Sequence, residues 1–156
     1  MRRAGVLVLA LLLAGCGAQG RSGPGKVTVA ASFAPLAEVA RRVGGDRVEV
    51  RDLTPPGAEP HDVELRPDDV AALADADLAV VVGGGFQPAV EDAADRRDGP
   101  TVRILAPGAA DPHVWLDPTA MARITGRVAT ALARIDPSGA AGYRARARAW
   151  GAELEA

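Results

Sequence analysis

The sequence has a single cysteine, Cys16, so no internal disulfide can form and stability must come from packing. Its single lysine is Lys26; arginine supplies the remaining positive charge, and 18 basic against 20 acidic residues leave a net charge of -2. With the two signs interspersed there is no basic field to hold a polyanion, which argues against nucleic acid as a partner. Aromatic residues are scarce, 3% against 48% hydrophobic, so the core must be built from Ala, Val and Leu around few rings. Histidine is rarer still, with only His61 and His113. At 156 residues the chain fits one domain of ordinary size, since about 100–200 residues is the usual span.

The N-terminus reads as an address. Arg2 and Arg3 precede an apolar run from Val6 to Leu13 that is too short to cross a bilayer core of about 30 Å. This is the layout of a secretory signal over residues 1–15. Leu13-Ala14-Gly15-Cys16 resembles a bacterial lipobox, which makes Cys16 the acylated first residue of a mature lipoprotein. Residues 16–25 are then a flexible, lipid-anchored tether, and the protein is expected outside the cytoplasm on the cell membrane.

From Lys26 strands and helices alternate. KVTVAA reads as a strand buried on both faces. Ser32 is placed to cap the next helix, with Pro35 in its first turn and Leu36, Val39, Ala40 and Val43 on its apolar face. Further strands are expected at Arg47 to Leu53, Leu78 to Val82 and Thr101 to Leu105. A helix from Pro67 carries Val70, Ala71, Leu73 and Ala74 as its apolar positions, with Asp68 and Asp69 complementing its dipole. Another helix spans Pro88 to Asp95. Gly83-Gly84-Gly85-Phe86 reads as a strand-to-helix turn, since it lacks the lysine and hydroxyl of a phosphate loop. Pro118 opens a longer helix through Ile135; Asp136-Pro137-Ser138 interrupts it, and another begins near Ala140 with Tyr143, Ala147, Trp150 and Leu154. Arg144, Arg146 and Arg148 on that helix read as a solvated face. The order predicts an α/β, Rossmann-like lobe of about four parallel strands flanked by helices, over residues 26–135.

Both histidines follow proline in loops that leave strands, His61 in GAEPHDVELRP and His113 in DPHVWLDP. The ends of strands in such folds are where ligand-binding groups sit. A neutral imidazole is a good ligand for Zn²⁺ and other first-row ions, and proline holds the loop at low entropic cost. Glu59 and Asp62 near the first, and Asp111 and Asp117 near the second, are candidates either to ligate or to orient an imidazole. Trp115 is expected to pack beneath the loop and hold His113. An alternative function fits the same residues: an exported zinc-dependent hydrolase using a His/Asp half-site, with Glu59 or Asp117 as general base. No nucleophile motif or oxyanion element accompanies them. A lobe without metal, tethered for protein contacts, is a third class.

VTVAASFAPLAEVARRVGGDRVEV, GAEPHDVELRPDDVAALADADLAVVVGGGF and DPHVWLDP, in this order, resemble the N-terminal lobe of the cluster A-I metal-binding lipoproteins, the zinc or manganese solute receptors of bacterial ABC importers. The resemblance implies two α/β lobes joined by a long helix, with the ion in the cleft between them and an ABC permease as partner. His61 and His113 match the two ligands of the first lobe, while the second lobe supplies a histidine or glutamate and a carboxylate. Residues 136–156 resemble the start of the inter-lobe helix, so the expectation is a chain truncated to its first lobe. Such a half-site holds metal weakly unless a second copy or a separate C-terminal lobe completes the shell. The histidine-rich acidic insert of many zinc members is replaced here by Ala106 to Ala110, and zinc is placed slightly ahead of manganese.

Overall fold

The computed structural model describes residues 25–156 apart from 107 and 110, so the signal segment, Cys16 and nearly all of the tether lie outside the described residues. Four strands form: β1 Val27–Ala31, β2 Val48–Asp52, β3 Leu78–Val81 and β4 Thr101–Arg103. Five α-helices accompany them: α1 Ala34–Gly44, α2 Pro67–Asp75, α3 Pro88–Asp95, α4 Pro118–Ile135 and α5 Ala140–Leu154. Among the described residues no helix is long and apolar enough to cross a membrane.

All strand pairings are parallel, in the order β2-β1-β3-β4. Successive side chains of a strand point to opposite faces. Val29 and Ala31 of β1, with Leu78 and Val80 of β3, accordingly enter a core shared with α1, α4 and α5. Ala30, Ala79 and Val81 enter a second core with Leu73 of α2 and with Val90 and Ala94 of α3. Burial on both faces is why these central strands are continuous apolar runs. The edge strand β2 instead alternates, with Val48 buried and Glu49 and Arg51 exposed.

Three expectations give way to tertiary contacts. Ser32 does not cap α1: it follows the last residue of β1 and donates its N–H to the Val80 carbonyl, and Phe33 stands at the N-cap without a side-chain bond. Helix α2 buries Leu73 and Asp69, while Val70, Ala71 and Ala74 face out. Asp69, only 2% exposed, accepts from Arg51 Nη2 at 2.6 Å and Arg66 Nε at 3.0 Å. Burial pushes its carboxyl up, but these two guanidinium bonds outweigh it and hold the group below the ordinary carboxylate value. The α2 apolar face is thus narrower than its spacing predicts, because an ion pair to β2 occupies part of it. Arg146 is likewise no solvated residue: it donates to the carbonyls of Val43 (2.7 Å) and Gly44 (2.9 Å), closing the C-terminus of α1.

The turn between α4 and α5 is tied to the entry of β2. Asp136 Oδ2 accepts from Arg47 Nε at 2.7 Å and from the fully buried Tyr143 hydroxyl at 2.6 Å. The Arg47 guanidinium holds the Asp136 carboxyl far below the usual range. These bonds tie the first turn of α5 to the residue that precedes β2.

Gly44 has an ordinary helical φ of -72°, so propensity alone favours alanine there by about 1 kcal/mol. A Cβ at Gly44 would nevertheless lie 2.2 to 2.8 Å from three side-chain carbons of Val48. The expected result for Gly44→Ala is therefore a net loss of about 1–3 kcal/mol from overpacking, read as a lower urea midpoint. A midpoint at or above the parent's would show that β2 can move aside.

Candidate metal centre

Every loop that bears on the candidate site leaves the carboxyl end of a parallel strand. From β1 the chain passes to β2 on one side and then, through α2 on the opposite face, to β3 on the other side of β1. The switch point, where a crevice opens at the strand ends, therefore lies between β1 and β3. Phe33 follows β1 and Phe86 follows β3, and their ring centres are 6.0 Å apart over this crevice.

The Gly-rich turn delivers Phe86. Gly83, Gly84 and Gly85 all have positive φ, and a Cβ on Gly83 would meet the Leu105 carbonyl at 2.9 Å. Only glycine serves there, for conformation and for space alike. Glu91 folds back from α3 to accept from the N–H groups of Gly85 and Gln87. Phe86 is 6% exposed and packs edge-on against Trp115, with ring centres 4.8 Å apart. Trp115 in turn meets Phe33 at 4.8 Å and His113 at 5.2 Å. Three of the five aromatic residues of the chain, Phe33, Phe86 and Trp115, thus form the floor of one site.

On that floor the two imidazoles meet. His61 sits in a short 3₁₀ turn, Pro60–Asp62, in the loop after β2, and its ring lies 4.2 Å from Phe86. His113 comes from the loop after β4, immediately before a 3₁₀ turn at Val114–Leu116. The His61 and His113 ring centres are 5.8 Å apart with planes at 61°. Two imidazoles bound to one ion at the Zn–N distance of about 2.1 Å have centres roughly 5–6 Å apart. The observed separation of the two ring centres falls in that range.

The four acidic candidates separate. Asp111 Oδ1 lies 3.0 Å from His113 Nδ1 and accepts from the His113 N–H at 2.8 Å. Those hydrogen bonds from His113 hold the Asp111 carboxyl below its ordinary value. An ionised carboxylate only accepts, so His113 Nδ1 is the donor in this bond, and in the neutral ring such a bond leaves the lone pair on Nε2. Asp117 caps α4 instead, accepting from the Thr119 N–H at 2.9 Å. Glu59 accepts from the His61 backbone N–H at 3.5 Å and shapes the turn, while Asp62 is exposed. Among the described residues no group of three or more His, Cys, Asp or Glu is positioned to hold an ion. The candidate site thus brings together two imidazoles and one carboxylate bonded to His113.

Sequence reasoning missed Phe33, Phe86 and Gln87. Phe86 had an available signal, since a large ring directly after three glycines in an aromatic-poor chain is unusual; Phe33 and Gln87 had none in local pattern.

A family model described as ZnuA, zinc-uptake complex component A periplasmic, matches residues 29–156. The manganese-binding lipoprotein MntA of Halalkalibacterium halodurans is 34% identical over 163 residues, covering 96% of this chain and 54% of that protein. The metal ABC transporter substrate-binding lipoprotein ScbA of Streptococcus cristatus is 29% identical over 183 residues, covering 100% of this chain and 59% of that one. The crystal structure of the Zn(II)-bound ZnuA-like domain of Streptococcus pneumoniae AdcA superposes with a TM-score of 0.72 at 28% identity, covering 84% of this chain and 52% of that domain. The chain thus spans little more than half the length of these relatives.

Proposed function

The chain belongs to the ZnuA family, and from that premise we propose that it is the metal-capturing lobe of an extracytoplasmic solute-binding lipoprotein that serves an ABC importer. The observation that carries this reading is the convergence of His61 and His113, 5.8 Å between ring centres, at the switch point of the sheet. Here the ion is cargo. Two neutral nitrogens hold it, Asp111 orients one of them, and the remaining coordination positions fall to groups of a further lobe or a second copy. A shell divided in this way releases its ion when the two parts separate, which suits a receptor that must deliver to a permease. Cys16 supplies the membrane anchor, residues 16–25 the tether, and residues 136–156 the start of the helix toward the second lobe. Two of the three relatives are named as binding lipoproteins and the third is titled a Zn(II)-bound domain, none is named as a hydrolase, and no observation at the site favours hydrolysis. We read the protein as carrying out no catalysis.

Relatives named for manganese and for zinc both match, so the choice of ion rests on donor chemistry. Imidazole sites bind zinc more tightly than manganese in the Irving–Williams order, and zinc is the ion we put forward. In a competition titration of the purified chain, zinc is expected to displace manganese with at least about tenfold preference. Tighter manganese binding would overturn the choice of ion, and binding of neither would overturn the function.

A further inference from the structure

Gln87 is 1% exposed, although glutamine is a surface residue by habit. Its Nε2 donates to the Pro60 carbonyl at 2.9 Å and more distantly to Thr54 Oγ1 at 3.4 Å, while its Oε1 has no partner among the described residues. The backbone of Gln87 is itself anchored, its N–H donating to Glu91 at 3.1 Å. Pro60 immediately precedes His61. Before it, Thr54 is held by its hydroxyl bond to the Ser32 carbonyl at 2.6 Å, and beyond it Val63 is buried in the second core. Between those anchors, among the described residues, the bond from Gln87 is the one hydrogen bond that ties residues 55–62 to another part of the fold.

We propose that Gln87 is the positioning residue for the His61 imidazole, holding the 60–62 turn so that the ring rests on Phe86 and faces His113. The inference rests on the reading of His61 as a metal ligand. A buried amide carbonyl without a partner weakens the fold, so Gln87 is a poor choice for packing alone. An apolar side chain of similar length removes that penalty, and the Pro60 carbonyl, only partly buried, can turn to water. Stability and His61 placement therefore respond to substitution in opposite directions, which a structural role would not produce.

The test is Gln87→Met in the full chain, with Gln87→Leu as a second variant should the first fail to fold. The expected result is a thermal midpoint equal to or above the parent's, together with zinc affinity about tenfold weaker or more, as for other groups that orient a ligand. By NMR the ring contact between His61 and Phe86 should weaken while that between His113 and Trp115 persists. Parent-like zinc affinity with the His61–Phe86 contact intact overturns the proposal, as does a fall in stability with unchanged affinity of the folded protein. If the parent itself shows no histidine-dependent zinc binding, the metal reading fails separately, and the ring contacts alone decide whether Gln87 places His61.

Discussion

Replacing both His61 and His113 by alanine is expected to abolish saturable zinc binding while leaving the fold intact. Both residues are exposed, so their truncation opens no cavity and stability should move by no more than about 0.5 kcal/mol. Affinity should behave differently, because among the described residues no group of three or more His, Cys, Asp or Glu is placed to hold an ion instead. Each single variant should lose more than about 100-fold, since even an outer-sphere partner is worth about 10–100-fold. Asp111→Ala supplies the graded case: it removes the carboxylate bonded to His113 Nδ1, and about 10–100-fold is the expected loss. Trp115 reports directly, since its ring lies 5.2 Å from His113 and its emission should change on zinc addition to the parent and stay constant in the double variant. Zinc binding by the double variant with parental affinity would place the ion elsewhere and end the proposed function.

Truncation of Phe86 should have the largest effect on stability. Its ring is 6% exposed and stands among Phe33, Trp115 and His61 at centre distances of 6.0, 4.8 and 4.2 Å. Phe86→Ala removes the lost transfer energy and leaves a cavity that neighbouring rings fill poorly, about 3–5 kcal/mol together. Against a total stability of about 5–15 kcal/mol, the urea midpoint should fall sharply with little change in slope. The folded fraction should also bind zinc more weakly, because His61 loses the surface on which it lies. Phe86→Leu separates the two effects by retaining most of the volume without the ring face. A loss below about 1 kcal/mol for the alanine variant would mean that Phe86 is not the keystone of the floor.

Much of the lobe was legible along the chain because its local rules agree with its global ones. The runs at Val27–Ala31 and Leu78–Val81 are apolar at every position since both faces are covered, and a proline stands at the first position of α2, α3 and α4. Where reading failed, a distant partner had intervened. Asp69 does stand in the first turn of α2, but its pairing with Arg51 of β2 was not readable from spacing, and Arg146 looked solvated until its guanidinium closed the last turn of α1. The acidic neighbours of the histidines could not be ranked from spacing. Asp111 and Asp117 flank His113 at comparable separations, yet one bonds the imidazole and the other caps a helix.

The order of strands and helices, and the presence of an imidazole in each of two loops beyond strand ends, follow from the residues alone, because hydrophobic period and proline placement act within a few positions. That the loops meet was decided only in three dimensions. Their convergence depends on β1 pairing with both β2 and β3, so that the chain reverses direction across the sheet and a crevice opens there. It also depends on three rings drawn from separate loops filling that crevice and carrying the imidazoles at 5.8 Å. Such pairings join residues far apart in the chain, and their energy comes from burial and ring packing to which no single stretch of sequence holds both partners.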